Sequence, residues 1–282
     1  GKDDAEGRIR LAANLKGIHN RYKNAQGQIA GLDRGRMVDK QRAADDAVAA
    51  WAAKHAEHAD AVAARDALRE VLSERERSWE HDFLLNLIPI GNDSVADGIP
   101  PYYAATLAHN AVEQGKPDEA RASGWTAAEQ SRLRDRLRRD QANYSADADR
   151  RVFAALVRRA LALPQDQRIA AIDARFAGKT PAQIDEAIAA LYAGTPVFDA
   201  SAQDAMLGEG LDALSARKDP LLDLGIAWNR ELRALRERER DWNARAALHR
   251  PAWRRAVAAH AGKPIAPDAN GTLRISFAHV QG

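Results

Sequence analysis

Apolar residues recur at alternating intervals of three and four through most of this chain, and that spacing builds helices. The first such run is Leu11 to Leu32, where Leu11, Leu15, Ile18, Tyr22, Ala25, Ile29 and Leu32 form one stripe. A second stripe of small and amide residues, Gly17, Asn20, Asn24, Gly27 and Gly31, lies on roughly the opposite face. A glycine within a helix costs ~0.5–1 kcal/mol relative to alanine, so three of them imply close approach by something. Short amides between them can hold an incoming polar group. The pattern is compatible both with tight helix–helix packing and with a recognition face.

Helix signals continue in order. Arg34–Gly35 breaks the first helix, and a second runs from about Met37 towards Asp66 with Val48, Trp51, Ala52, His55 and Ala59 on its buried side. A third, from about Ala67, presents Leu68, Leu72, Trp79, Phe83 and Leu87 and stops before Pro89; no glycine or proline separates it from the second. The stretch from Pro89 to Pro101 reads as loop. A short helix spans about Tyr102 to Gln114, and Thr126 with Glu129 has the capping-box spacing. Ser145 opens the helix that ends at Pro164, and a compact one fills 165–177. Thr180–Pro181 starts another that Gly194 closes, and Asp199 caps a short one up to Gly208. From Asp219–Pro220 a stripe of Leu221, Leu224, Trp228, Leu232, Leu235, Trp242, Ala246, Trp253 and Val257 continues as far as Gly262. Pro251 is expected to kink or split that helix near Leu248. ERERSW at Glu74–Trp79 and ERERDW at Glu237–Trp242 are each read as a charged outer face with one buried tryptophan. Only the end alternates in the period of a strand, with Leu273, Ile275 and Phe277 against Arg274, Ser276 and Ala278.

Composition removes several classes of function. The 42 basic residues nearly cancel 40 acidic ones, and the net +2 is spread evenly, which is no footprint for nucleic acid or for an anionic membrane. No apolar run reaches the ~18–20 residues of a membrane span. With no cysteine, disulfides and thiolate metal sites are excluded.

The candidate chemistry is sparse. His55 and His58 place two imidazoles three apart, as in some metal sites, but no third ligand has recognisable spacing, so no metal and no cofactor is expected. No nucleophile elbow, P-loop or dinucleotide fingerprint is present. The run RLRDRLRR at 132–139 has acids interspersed and no stacking platform, which reads as a solvated face. No complete catalytic constellation emerges, and both termini read as cut: the chain opens on GKDD and closes on a strand without a partner.

Two segments carry a resemblance. His19-Asn20-Arg21-Tyr22-Lys23-Asn24, followed by Gly27 and Gly31-Leu32-Asp33, resembles a segment of the bacterial serine dipeptidyl peptidases of the dipeptidyl-peptidase seven and eleven types and the dipeptidyl aminopeptidase BII type. Pro267-Asp268-Ala269-Asn270-Gly271-Thr272-Leu273-Arg274, with Val280-Gln281-Gly282 after it, is similar to the PDAN-x-TLR strand of that family. The resemblance implies an all-α cap domain over 1–262, inserted into a chymotrypsin-like double barrel, with 263–282 as the first strand returning to the barrel. It also implies a homodimeric, periplasmic or cell-surface enzyme that releases dipeptides from peptides with a free N-terminus. The triad residues would lie outside this chain, leaving no catalytic residue within it. Asn20 corresponds to the asparagine that holds the substrate's α-ammonium, and Asn24, one turn along, is the second candidate. An amide oxygen is a suitable acceptor for an ammonium group. The departures are His19 for a small residue, Arg21 for an aromatic and Gly271 within the strand motif. On the residues alone, a helical interaction or scaffold domain without substrate is the competing reading.

Overall fold

The computed structural model describes residues 5–87, 99–141 and 144–262. Among them are twelve α-helices, a few single 3₁₀ turns and no strand, as the helical spacing requires. The segment expected as a terminal strand, 272–280, lies outside the described residues. So does most of the loop expected over 89–101, although the next helix already begins at Ile99.

The helices are α1 (Ala5–Gly35), α2 (Met37–Ala52), α3 (Asp60–Arg77), α4 (Trp79–Leu87), α5 (Ile99–Gln114) and α6 (Gln130–Gln141). They continue as α7 (Ala146–Leu161), α8 (Ala170–Phe176), α9 (Pro181–Ala193), α10 (Ala200–Leu207), α11 (Leu211–Ala216) and α12 (Pro220–Ala261). The chain divides into two compact units: Gly1–Gly31 with Glu74–Asp241, and Leu32–Ser73 with Trp242–Gly282.

The larger unit is built around α5. From Pro100 to Ala111 every residue of that helix is buried, and a helix covered on all sides belongs in the middle of a core. Gly225 of α12 lets the two backbones meet: a Cβ there would lie 2.4 Å from the carbonyl carbon of Ala104. Side chains then fasten neighbours to one another through backbone carbonyls. Trp228 Nε1 donates to Leu85 O of α4 at 2.9 Å, and Asn110 Nδ2 donates to Leu207 O of α10 at 2.9 Å. The Tyr103 hydroxyl donates to Leu137 O of α6. Buried donors and acceptors joined in this way cost little, whereas orphaned ones would cost ~1–3 kcal/mol each.

Local capping chemistry sets several helix starts. Thr180 and Gln183 cap reciprocally, with Thr180 N–H on Gln183 Oε1 at 2.9 Å and Gln183 N–H on Thr180 Oγ1 at 3.3 Å. Asp199 Oδ1 accepts from Ala202 N–H at 2.7 Å, and Asp219 Oδ1 accepts from Leu221 and Leu222 at 2.7 and 3.1 Å. Glu129 reaches back to the N–H groups of Gly124 and Thr126, and Ser145 takes the N-cap position of α7 without a side-chain bond. The start of α8 is capped from a distance, Glu231 accepting from Ala170 and Ala171 at 2.9 and 2.7 Å.

The smaller unit packs α2, the first part of α3 and the last part of α12 around Val48, Ala52, Ala61 and Ala256, with Trp51, Val62, Trp253 and Val257 at the margin. Arg65 and Arg69 both reach Asp46, and Arg255 reaches Asp60.

Three expectations are corrected. The helix begun at Met37 ends at Ala52 and not near Asp66, because His55 is extended and its Nδ1 meets Trp51 O at 2.8 Å, ending the ladder without glycine or proline. Ala59, expected on its buried side, is exposed. A turn at Ser78 separates α3 from α4, so the stripe through Leu68, Leu72, Trp79 and Phe83 is broken in phase. Leu84 and Leu85 are fully buried in its place, while Leu72 and Trp79 are 62% and 59% exposed; the tryptophan of ERERSW is therefore a surface residue and that of ERERDW, Trp242, is buried. Pro251, expected to kink or split the last helix, sits inside α12, which runs without a split from Pro220 to Ala261.

Candidate functional site

α1 carries the amide and glycine face singled out in the sequence. Asn20 and Asn24 are both exposed and, four residues apart, stand about 6 Å from each other along the helix axis. A Cβ added at Gly27 or Gly31 would meet nothing within 4 Å, so the space over both glycines is open and no neighbouring helix fills it among the described residues. The packing role for those glycines is thus not the one the structure displays. Tyr22, Ile29 and Leu32 of the opposite stripe are also 51–61% exposed. The Tyr22 hydroxyl accepts from Gln26 at 2.8 Å.

Arg21 is the cation nearest in sequence to Asn20. One of its terminal nitrogens lies 3.5 Å from where a Cβ of Gly17 would stand, so the side chain folds back one turn. The glycine gives the guanidinium room to lie against the helix.

Among the described residues, one trio has the composition of a nucleophilic triad. Ser78 Oγ donates to Asp82 Oδ2 at 2.8 Å, and His81 Nδ1 meets Asp82 Oδ1 at 2.7 Å. The connectivity is wrong for activation, because the serine gives its proton to the carboxylate and not to the imidazole. Burial would raise the Asp82 carboxyl, but hydrogen bonds from His81 and Ser78 and the charge of Arg238 hold it below its ordinary value. Asp82 also takes Arg238 at 2.7 Å, so the trio joins α4 to α12.

His55 and His58 do not converge on a metal position: the rings of His55, His58 and His260 surround Trp51, at centroid distances of 4.1, 5.2 and 5.7 Å. Among the described residues no group of three His, Cys, Asp or Glu side chains could hold a metal ion. No helix among them is long and apolar enough to cross a membrane.

The polar cluster that sequence reasoning missed lies on α5. His109, Asn110 and Glu113 are buried at 7%, 0% and 3% exposure on a helix that is otherwise mostly apolar. Glu113 accepts from Lys116 Nζ at 2.6 Å and Ala122 N–H at 2.8 Å, and these bonds hold its carboxyl low against the opposing effect of burial. His109 stands 3.5 Å from Arg236, 4.0 Å from Glu113 and edge-on to Trp125. Burial, then the Arg236 charge, pushes its imidazole down to about 4. A neutral imidazole and fully engaged partners make this a structural cluster. Its signal in the sequence is the spacing of His109 and Glu113, one turn apart within an apolar helix.

Fold and exposed face thus describe a helical domain that presents an amide-bearing helix. The sequence pattern of the Peptidase S46 family matches residues 1–282, and the chain belongs to that family. It is also similar to an Asp/Glu-specific dipeptidyl-peptidase of Shewanella putrefaciens (strain CN-32 / ATCC BAA-453), at 25% identity over 286 residues. The match covers 100% of this chain and 38% of that relative's length.

Proposed function

We propose that this chain is the substrate-gating helical domain of a serine-type exopeptidase that releases dipeptides from peptide N-termini. In this reading the nucleophile and its base lie outside residues 1–282, and the domain by itself hydrolyses nothing. Asn20 accepts hydrogen bonds from the substrate's α-ammonium, and Asn24 is the alternative acceptor one turn away. The whole enzyme acts at the cell surface or in the periplasm, as a homodimer, on peptides with a free N-terminus.

The observation that carries this reading is the exposure of Asn20 and Asn24 on one side of α1, with open space over Gly27 and Gly31. Exposed amides on a helix surface have their acceptor oxygens available, and the absence of side chains at the glycines leaves room for a peptide end. An exopeptidase needs such a group to fix the distance from the terminus to the scissile bond. Family membership and the dipeptidyl-peptidase relative support the class of reaction.

The experiment is Asn20→Ala in the full-length enzyme, assayed on a dipeptidyl substrate with a free N-terminus and on its N-acetylated counterpart. Loss of a hydrogen bond to a charged group, ~1.5–3 kcal/mol, predicts a fall in kcat/KM of about ten- to a hundredfold on the free-amine substrate. The melting temperature should hold, since an exposed helical position favours alanine. Unchanged activity per folded molecule for both Asn20→Ala and Asn24→Ala would refute the assignment and favour a domain without a substrate.

A further inference from the structure

We propose that the cleft between α7 and α9 is an oxyanion-binding site, taking a carboxylate or phosphate group. The cleft is a pocket of about 270 Å³ lined by Asp147, Arg150, Arg151 and Arg158 of α7 and by Asp185 and Ala189 of α9. It has no part in the α1 reading and stands independently of it.

The pocket follows from helical spacing. Positions 147, 150, 151 and 158 fall on one side of α7, with Ala154, also on that side, buried between Arg150 and Arg158. On α9, Asp185 and Ala189 are one turn apart, and the small side chain of Ala189 leaves the far wall low. Three guanidinium groups and the Asp147 carboxylate therefore line the α7 wall, facing the Asp185 carboxylate of α9 across a space with room for one amino-acid residue or one phosphate group.

The pairing inside the cleft leaves a positive remainder. Arg151 meets Asp147 at 2.8 Å, and Arg158 meets Asp185. Arg150 donates Nε to Ala146 O at 3.2 Å and has no carboxylate partner among the described residues. Arg158 is anchored at its terminal nitrogen by Asp185 and by Pro181 O at 3.2 Å, which leaves its Nε buried with no hydrogen-bond partner. A buried, unpaired donor on a cation is costly, and an acceptor oxygen brought within reach of it would remove that cost. The arginine fork matches the two oxygens of a carboxylate or phosphate, and a fixed guanidinium loses less freedom on binding than a mobile one. Two sources share this chemistry: an acidic side chain of a peptide and free inorganic phosphate.

The test uses the 282-residue chain with sodium phosphate and with an N-acetylated, C-amidated Glu-Glu dipeptide, each against sodium chloride at matched ionic strength. Saturable binding by calorimetry is expected for at least one of them, with a rise in melting temperature that chloride does not reproduce. Preference for phosphate assigns a free anion, and preference for the dipeptide assigns an acidic peptide segment. Arg150→Gln should weaken binding about tenfold or more. Arg158→Lys should also weaken it, because lysine keeps the charge but lacks the Nε donor. A thermal shift matched by chloride, or affinity unchanged in Arg150→Gln, overturns the proposal. If Arg158→Lys lowers the melting temperature without ligand, Arg150→Gln alone decides, since Arg150 is bonded only within its own helix.

Discussion

Gly225→Ala tests the close backbone approach of α12 to α5 in the larger unit. The added methyl would sit 2.4 Å from Ala104 C, 2.6 Å from Ala104 O and 2.7 Å from Ala104 Cβ. None of these is the end of a flexible side chain that can swing aside. Relief requires α12 and α5 to separate by roughly 1 Å, the gap between 2.4 Å and an ordinary 3.4 Å contact. Trp228, one turn along α12, donates to Leu85 O at 2.9 Å, so the same displacement stretches a buried hydrogen bond. Overpacking of a tight core costs ~1–3 kcal/mol, and backbone contact on three atoms argues for the upper end. Against this, alanine is the better helix former by about 1 kcal/mol. The expected net loss is about 2 kcal/mol, or a melting temperature lower by ~4–8 °C at this chain length. Urea and thermal unfolding followed by far-UV circular dichroism read it directly. Stability equal to or above that of the unsubstituted chain would show that α5 and α12 do not meet at this point, because an open helical glycine gains from alanine.

The glycines of α1 predict the opposite sign. Gly27→Ala and Gly31→Ala, with nothing within 4 Å of the new methyl, should each stabilise α1 by ~0.5–1 kcal/mol in amide hydrogen exchange. In the full-length enzyme the same methyls should raise KM for free N-terminal peptides, and exchange that speeds up would refute an open face. His109 predicts a pH dependence. Its imidazole is held at about 4 when folded against 6.5 ordinarily, so below 6.5 the unfolded chain binds a proton that the folded one refuses. The contribution is complete above pH 6.5 and drains between 6.5 and 4 at up to ~1.4 kcal/mol per unit. Urea midpoints between pH 8 and 5 should be less pH-dependent in His109→Gln, and identical slopes would refute the buried neutral form. Glu113 and Asp82, held below ordinary values of 4.5 and 3.8, lose their share only in stronger acid and do not obscure that window.

The parts of the fold legible in the sequence are those decided within a few residues. The Thr180–Gln183 pair, the Asp199 cap and the Asp219–Pro220 start are local hydrogen-bonding events, and each appears where the sequence places it. The break after Ala52 is not legible in the same way. It is made by a histidine ring taking a carbonyl of the preceding turn and stacking on Trp51, with no turn residue to announce it. One break at Ser78 then rotated the whole α4 face and exchanged Trp79 for Leu84 and Leu85. α11 passed unseen because six residues are too few for a period, and its end is fixed by Lys218 at φ 54. The helical continuity through Pro251 was likewise invisible, since the proline costs one ladder bond while Trp253, Ala256 and Val257 beyond it take part in the smaller core.

α1 and α12 show why the candidate site was only partly legible. Both carry the three–four stripe, yet Leu221, Leu224, Trp228, Leu232 and Leu235 are at most 4% exposed, while Tyr22, Ile29 and Leu32 are 51–61% exposed. Periodicity records that a stripe is suited to cover, but not what supplies it. The buried polar residues of α5 show the converse: His109, Asn110 and Glu113 are ionisable or amide side chains sealed inside the larger unit. Asn20 could be singled out only because the pattern of glycines and amides around it coincided with a family resemblance. Its position on α1 gives the two faces of that helix separable roles. The side chains of the stripe and those of Asn20 and Asn24 leave the axis in nearly opposite directions on a helix ~10 Å across. Whatever covers Tyr22 and Ile29 can therefore do so while the amides remain open to a peptide end. Substitutions on the stripe should change the stability of α1 and spare substrate affinity, whereas those on the amide face should do the reverse.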